Sequence, residues 1–159
     1  MMSFHGIPRD SFLAGDPYFC QCQTTARLLA QKLELEEDQY AVTFQSRVGP
    51  KQWLTPYTDQ TLIEWGRAGV GDIDVICPGF AVDCLETLEE IALQYAALFR
   101  NSGGGELRYI PALNSDELHV AALSHLIESH LGAWLRGFED TDEARRERAG
   151  RAIKMGAPR

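Results

Sequence analysis

Apolar residues along this chain change their spacing several times, and each change marks an element. Ala26, Leu29, Ala30 and Leu33 recur at helical intervals and predict an amphipathic helix over residues 17–34. Asp16 supplies its cap and Pro17 its first residue, where a missing N–H is harmless. Tyr40 to Phe44 is a short β-rich run ending in Gln45 and Ser46. Gly49, Pro50 and Pro56 break the next stretch into a loop over residues 46–57, with Trp53 and Leu54 between the breakers. Thr58 and Asp59 can cap a helix that runs to about Gly69, and Asp72 to Cys77 predicts the next strand, stopped by Pro78 and Gly79. Leu88, Ile91, Ala92, Tyr95 and Phe99 form one apolar face and predict an α-helix from Leu85 to about Asn101. Gly103 to Gly105 ends it, because a glycine run after a helix is a stop signal whereas phosphate-cradling loops precede one. Leu107 to Ile110 is a further strand, and Asn114 with Glu117 matches a cap ahead of a helix over residues 115–131.

Helices and strands therefore alternate, which implies parallel strands joined by right-handed crossovers. The fold class is α/β, a Rossmann-like half of a doubly wound sheet with four parallel strands flanked by helices. Met1 to His5 is too short for a complete strand, so the first strand is expected to be truncated. Residues 1–138 read as one lobe. From Glu139 onward charge, alanine and glycine dominate; Thr141 to Ile153 lacks an apolar face wide enough to dock, so residues 139–159 are expected to be a frayed tail.

Charge narrows the partners. The net charge is −8, and residues 139–159 hold six basic and five acidic side chains, leaving nine basic against eighteen acidic in residues 1–138. Such a body attracts cations and argues against nucleic acid as a partner. The four cysteines do not have the spacing of a metal finger, and Cys20 and Cys22 fall on different faces of a helix. All four read as reduced thiols of a cytoplasmic protein, with neither a bilayer-spanning run nor a signal peptide.

In open α/β sheets ligands gather at the carboxyl ends of the strands, and His5 falls there. Its imidazole suits proton transfer or metal binding near neutral pH, and it equally suits a histidine satisfied by local hydrogen bonds. Glu86 opens the helix after the third strand. One reading makes it the far end of a capping box begun by Asp83; the other makes it the first carboxylate of a stripe continued by Glu90 and Gln94. The stripe is either a solvated face or a proton or cation path, in which neighbouring carboxylates raise one another's pKa. Trp53 plugs the edge of a core or stacks on a flat aromatic ligand, with Gln45 and Ser46 on the same loop. His119, His125 and His130 lack i, i+4 spacing and receive no metal role.

Five strings carry a resemblance: SFHGIP, DPY-x-x-QC, TFQSRVG-x-x-x-WLTPYTD, V-x-CPGF-x-x-DCLETLEEI and YIPALN, which together cover most of residues 3–114. In order and spacing they resemble the C-terminal lobe of ferrochelatase, closest to bacterial protoporphyrin-type enzymes. The resemblance implies a chelatase-like lobe that inserts Fe(II) into protoporphyrin IX to form haem, a lyase reaction of porphyrin biosynthesis without an organic cofactor. It implies His5 as proton acceptor and metal ligand, Glu86 as its catalytic and metal-binding partner across the cleft, and Glu90 as the next position of the metal path. It places Trp53 beside the macrocycle, with Gln45 and Ser46 as further porphyrin contacts. The tail lacks the cysteines that some members use for a [2Fe–2S] cluster, so none is expected. The family's porphyrin lies between two lobes, and the N-terminal one lies outside this sequence. Activity is therefore expected to need that lobe or self-association; peripheral contact with the inner membrane is a further expectation. The alternatives are a porphyrin- or metal-binding module without turnover and an inactive fragment.

Overall fold

The computed structural model describes residues 1–136 and 141–156. The chain divides into two compact units, Met1–Ser115 and Asp116–Arg159. The division falls inside the span that the pattern reads as one lobe.

The first unit follows the alternation expected. Strand β1 (Met2–His5) leads through the short helix α1 (Arg9–Leu13) into α2 (Tyr18–Lys32), then β2 (Val42–Gln45), α3 (Thr58–Arg67) and β3 (Ile73–Val75). A π-helix (Glu86–Tyr95) continues directly into α4 (Ala96–Asn101), and β4 (Leu107–Tyr109) follows. The Asp16 carboxylate accepts from the Tyr18 N–H at 2.9 Å, the contact expected of a residue that opens α2.

One expectation needs correction. The strands form two two-stranded parallel ladders, β1 with β2 and β3 with β4, instead of one four-stranded sheet. A single parallel bridge, Met2 to Ile76, joins them through Ser3 N–H to Ile76 O at 2.9 Å and Ile76 N–H to Met1 O at 3.1 Å. The next donor in that register belongs to residue 78, a proline, which has no N–H to give. The ladder stops there for a covalent reason. The first strand, expected to be truncated, comprises Met2–His5 and pairs in parallel with Val42–Gln45.

Side-chain alternation sends the strands into two cores. Met2, Phe4 and Phe44 pack with Cys22, Ala26 and Ala30 of α2. Ile73, Val75 and Leu107 point the other way and pack with Leu62 of α3, Ile91 of the π-helix and Phe99 of α4. The opposite face of β1 and β2 carries Ser3, Thr43 and Gln45, all buried, beside the buried Thr58 of α3. Hydroxyl contacts of 2.9 Å link Ser3 to Thr58 and Thr58 to Thr43, so this part of the interior is held by hydrogen bonds.

The second unit comprises α5 (Glu117–Arg136) and α6 (Asp142–Lys154). Residues expected to fray thus carry a helix, which buries no side chain. Thr141 caps it by accepting from the Ala144 N–H at 3.2 Å, and the pairs Arg145–Asp142 and Arg151–Glu147 lie along it. The boundary expected at residue 138 lies outside the described residues.

Phe99 is fully buried at the meeting point of the second core. Phe99→Ala is expected to lower the unfolding free energy by about 4 kcal/mol, measured by urea denaturation, because truncation leaves a cavity as well as losing apolar burial.

Candidate active site

The carboxyl ends of β1 and β2 open on a cleft of about 340 Å³ whose lining includes His5, Ser46, Arg47, Leu85, Glu86 and Glu90. Val48 and Leu85 on its rim are 75% and 71% exposed, an apolar lip around a polar floor.

His5 is the last residue of β1, and its ring is fixed locally. Nδ1 lies 2.6 Å from the Gly6 carbonyl, which can only accept, so Nδ1 carries a proton, and in the neutral ring the lone pair is on Nε2. One ring nitrogen is thus satisfied by the backbone, as the local reading of this histidine has it. The rings of Trp53 and Phe80 flank the imidazole, with centroids at 6.3 and 6.4 Å. The Tyr18 hydroxyl holds the strand end by donating to the His5 carbonyl at 2.8 Å. Gly6 suits this close approach: a Cβ there would sit 3.1 Å from the Gln45 carbonyl and 3.2 Å from Trp53, so a neighbour would have to give by a few tenths of an ångström.

Glu86 opens the π-helix, and the capping box expected for it does not form. The Asp83 carboxylate is taken up by Tyr109 OH at 2.6 Å, Asn114 Nδ2 at 2.8 Å, Thr87 Oγ1 at 3.0 Å and the Ala112 N–H at 3.3 Å. Asn114 Oδ1 accepts from the Asp83 N–H, and Thr87 Oγ1 accepts from the Cys84 N–H at 3.0 Å. Thr87 therefore performs the reciprocal capping role, which frees Glu86 to face the cleft. Neighbouring carboxylates do not raise the Glu86 pKa, contrary to expectation. A hydrogen bond with the Cys84 thiol, then one with the backbone, holds it below the ordinary carboxylate value; desolvation opposes them and the charge of His5 adds to them.

Glu90 has a different fate. Its Oε1 accepts from the Ser46 N–H and from Tyr95 OH, both at 2.8 Å, while Oε2 accepts from Ser46 Oγ and from Gln45 Nε2 at 3.3 Å. A carboxylate offers about four acceptor sites, and all are used. Glu90 to Tyr95 is an i, i+5 pair, as is the 3.3 Å contact of Gln94 with Glu89. That interval belongs to the i→i+5 hydrogen bonding of a π-helix and would not align on an α-helix. His5, Glu86 and Glu90 line one cleft without converging: among the described residues no three His, Cys, Asp or Glu side chains gather closely enough to hold a metal ion.

Ser46 lines the cleft with its backbone at φ 65°, a left-handed conformation, and gives both its N–H and its hydroxyl to Glu90. Gln45 does not reach the cleft as a ligand contact would require. It is 1% exposed, and its amide binds Ser3 Oγ, Cys77 Sγ and the Glu86 carbonyl inside the protein. Trp53 is half-buried beside His5, and its Nε1 is a buried donor without a hydrogen-bond partner. Arg47, Thr87 and Tyr95 carry no signal in the sequence that marks them as residues of this site. Arg47 pairs with Asp59 and lies 3.9 Å over the Tyr57 ring. Tyr95 was visible as a core position; only the π-helical turn directs its hydroxyl at Glu90.

Parallel strands ending in a histidine, faced by a carboxylate-bearing helix across an apolar-lipped cleft, define an α/β protein with a polar cleft at its strand ends. Residues 1–131 match the sequence model of the ferrochelatase family, and the chain belongs to that family. It is 51% identical to the ferrochelatase of Nitrosococcus oceani over 162 residues, covering 99% of this chain and 44% of that protein. The ferrochelatases of Nitrosomonas europaea and a Polaromonas species are each 50% identical, over 157 and 159 residues and 43% of their length. The chain thus spans less than half the length of these curated relatives.

The Asp83 network predicts an acid signature. Desolvation opposes ionisation of Asp83, but hydrogen bonds from Asn114, Tyr109, Ala112 and Thr87 outweigh it and bring the carboxyl to about 2. A depressed folded-state pKa contributes stability that is complete above the unfolded value of about 3.9 and lost as pH falls through the folded one. Asp83→Asn, which turns an amide donor toward other donors, is expected to destabilise by about 2 kcal/mol near neutral pH. In urea unfolding that deficit should shrink as pH drops from about 4 toward about 2.

Proposed function

We propose that this chain is the half of a ferrochelatase that carries the proton-transfer groups, inserting Fe(II) into protoporphyrin IX once the cleft is completed by the rest of the enzyme. The observation that carries the reading is the placement of a pre-set imidazole, Nδ1 held by Gly6, and a carboxylate, Glu86, in the lining of one cleft. Metalation releases two pyrrole protons for each iron that enters, so the charge gained from Fe(II) leaves as two H⁺. His5 Nε2 accepts a proton in this reading. Glu86, ionised and half-buried, stabilises the imidazolium so formed and offers oxygen to the incoming cation, for which imidazole and carboxylate are suitable donors. Glu90 is the fixed member: its four hydrogen bonds favour a role in shaping the cleft floor and passing protons over one as a standing ligand. Trp53 and the apolar lip of Val48 and Leu85 suit the flat face of a macrocycle. An open cleft of about 340 Å³ takes one edge of such a ring without enclosing it, in keeping with a site completed by a second lobe.

A second reading, a porphyrin-binding module without turnover, draws on the chain's 43–44% coverage of its relatives. One experiment separates the two. The portion of the Nitrosococcus oceani enzyme outside the matched region is added to this chain with protoporphyrin IX and Fe(II) under anaerobic conditions, and loss of free-porphyrin fluorescence is followed. The expected outcome is restored metalation that falls at least ~100-fold in His5→Ala and in Glu86→Gln. Binding of porphyrin without metalation, or metalation that survives His5→Ala, would count against the catalytic reading.

A further inference from the structure

One of the five strings, DPY-x-x-QC, opens α2 and contributes nothing to the lining of the cleft. Its residues nevertheless meet at the end of β1. The Asp16 carboxylate takes the Tyr18 N–H at 2.9 Å and fixes the start of the helix. The Tyr18 hydroxyl reaches across to the His5 carbonyl at 2.8 Å. Cys22, buried and one turn further along, hydrogen-bonds with that hydroxyl through its thiol. Burial, and after it the Cys22 thiol, raise the Tyr18 pKa, so the phenol stays protonated and remains a donor.

The carbonyl that Tyr18 holds belongs to the peptide on which the imidazole depends. That peptide links His5 to Gly6, and its N–H donates to the Gln45 carbonyl at 2.8 Å. It is thus gripped at both ends, by α2 through Tyr18 and by β2 through Gln45. The next carbonyl, that of Gly6, is the acceptor 2.6 Å from Nδ1. Beyond it the Ile7 carbonyl is anchored by the Leu54 N–H at 3.0 Å. Between these anchors lies a glycine, the residue whose backbone is least restrained by a side chain of its own. The direction of the Gly6 carbonyl therefore rests on the peptides either side of it. Without the phenol, the part-buried His5 carbonyl loses its donor and the His5–Gly6 peptide is free to tilt.

We infer that Tyr18 is a positioning residue for His5: acting through the His5–Gly6 peptide, its hydroxyl aims the Gly6 carbonyl at Nδ1 and so selects the tautomer protonated there. A histidine side chain in water favours the other tautomer, with the proton on Nε2, so the selection has to come from a partner. Tyr18 does not line the cleft and acts through the backbone alone. Its bearing on metalation rests on the function proposed above, in which a neutral ring protonated on Nδ1 presents the Nε2 lone pair to a pyrrole proton.

Nitrogen NMR of the isotope-labelled full chain reads the tautomer directly at about pH 8, where a free imidazole is neutral. The His5 signals are assigned by their absence from His5→Ala. Tyr18→Phe keeps the aromatic ring and removes only the hydroxyl. It is expected to lower the ratio of the Nδ1–H to the Nε2–H form by ~5-fold, the worth of about one hydrogen bond. Arg27→Gly, an exposed change that weakens α2 and leaves Tyr18 in place, should leave the ratio unchanged. Circular dichroism and urea midpoints establish that each variant is folded. If Tyr18→Phe is not, Cys22→Ala, which removes the thiol's donation to the phenol oxygen, should shift the ratio in the same direction. Mixed with the remainder of the Nitrosococcus oceani enzyme, Tyr18→Phe should lower kcat ~5-fold with KM for protoporphyrin IX unchanged. Unmoved His5 nitrogen signals overturn the inference, and so does an equal shift in Arg27→Gly. An unchanged kcat in Tyr18→Phe where His5→Ala abolishes turnover overturns it as well. Metalation that survives His5→Ala while the ratio still falls in Tyr18→Phe would remove the catalytic reading and uphold the hold of Tyr18 on the ring.

Discussion

The buried amide of Gln45 is the contact on which the rest of the site depends. Its oxygen accepts from Ser3 of β1 at 2.7 Å and from Cys77, just past β3, at 3.5 Å. Its nitrogen donates to the Glu86 carbonyl at 2.7 Å and to Glu90 at 3.3 Å. One side chain thus ties both ladders to the helix that carries the carboxylates, across a region where the strand link is a single bridge ended by Pro78. In the low-dielectric interior such a bond is strong when made, and each group left without a partner costs about 1–3 kcal/mol. Any displacement of the π-helix from β2 would break several of these bonds together. The cleft therefore has a floor with very little freedom. Burial also pushes the Cys77 thiol up to about 12, so this neighbour stays protonated and remains a donor to the amide.

Much of the first unit was legible from spacing alone, because its elements obey local rules. The helix at Ala26, Leu29 and Ala30, the glycine stops and the strand-ending proline each declare themselves within a few residues. His5 was legible for the same reason, lying where a strand must end. What stayed hidden were decisions made across the fold. Gln45 and Ser46 are adjacent and polar, and nothing local says that one is buried as a strut while the other bends into a left-handed turn. The Asp83–Glu86 spacing fits a capping box perfectly well, yet Asn114 and Tyr109, some thirty residues away, claim Asp83 first. A π-helix has no periodicity that distinguishes it from an α-helix over ten residues, so the Tyr95 hydroxyl could only be placed once the turn was known. The number of strands in one sheet was misjudged because a proline read as a strand terminator also removes the donor that would have joined the two ladders.

The distribution of polar and apolar side chains on β1 and β2 explains why the site lies where it does. One face is wholly apolar and packs on α2. The other carries Ser3, Thr43 and Gln45 under α3 and the π-helix, with hydroxyls and an amide where a core would place leucines. An apolar interior there would allow the helix to slide, since van der Waals contact is only weakly directional. Hydrogen bonds set distance and angle, and they hold the first turn of the π-helix in register with the end of β1. That register is what brings Glu86 opposite His5.

The two carboxylates of the helix separate into unlike roles through their partners, even though they stand one turn apart. Glu90 meets four donors and has no acceptor site left; for it to bind a cation, Ser46, Tyr95 or Gln45 would have to let go. Glu86 meets the half-exposed Cys84 thiol and otherwise faces solvent, so it can exchange partners at low cost. A metal in transit needs ligands that release it as readily as they take it, and a saturated carboxylate cannot do that. A carboxylate with few partners at the mouth and a fully hydrogen-bonded one behind it thus stand within one helical turn.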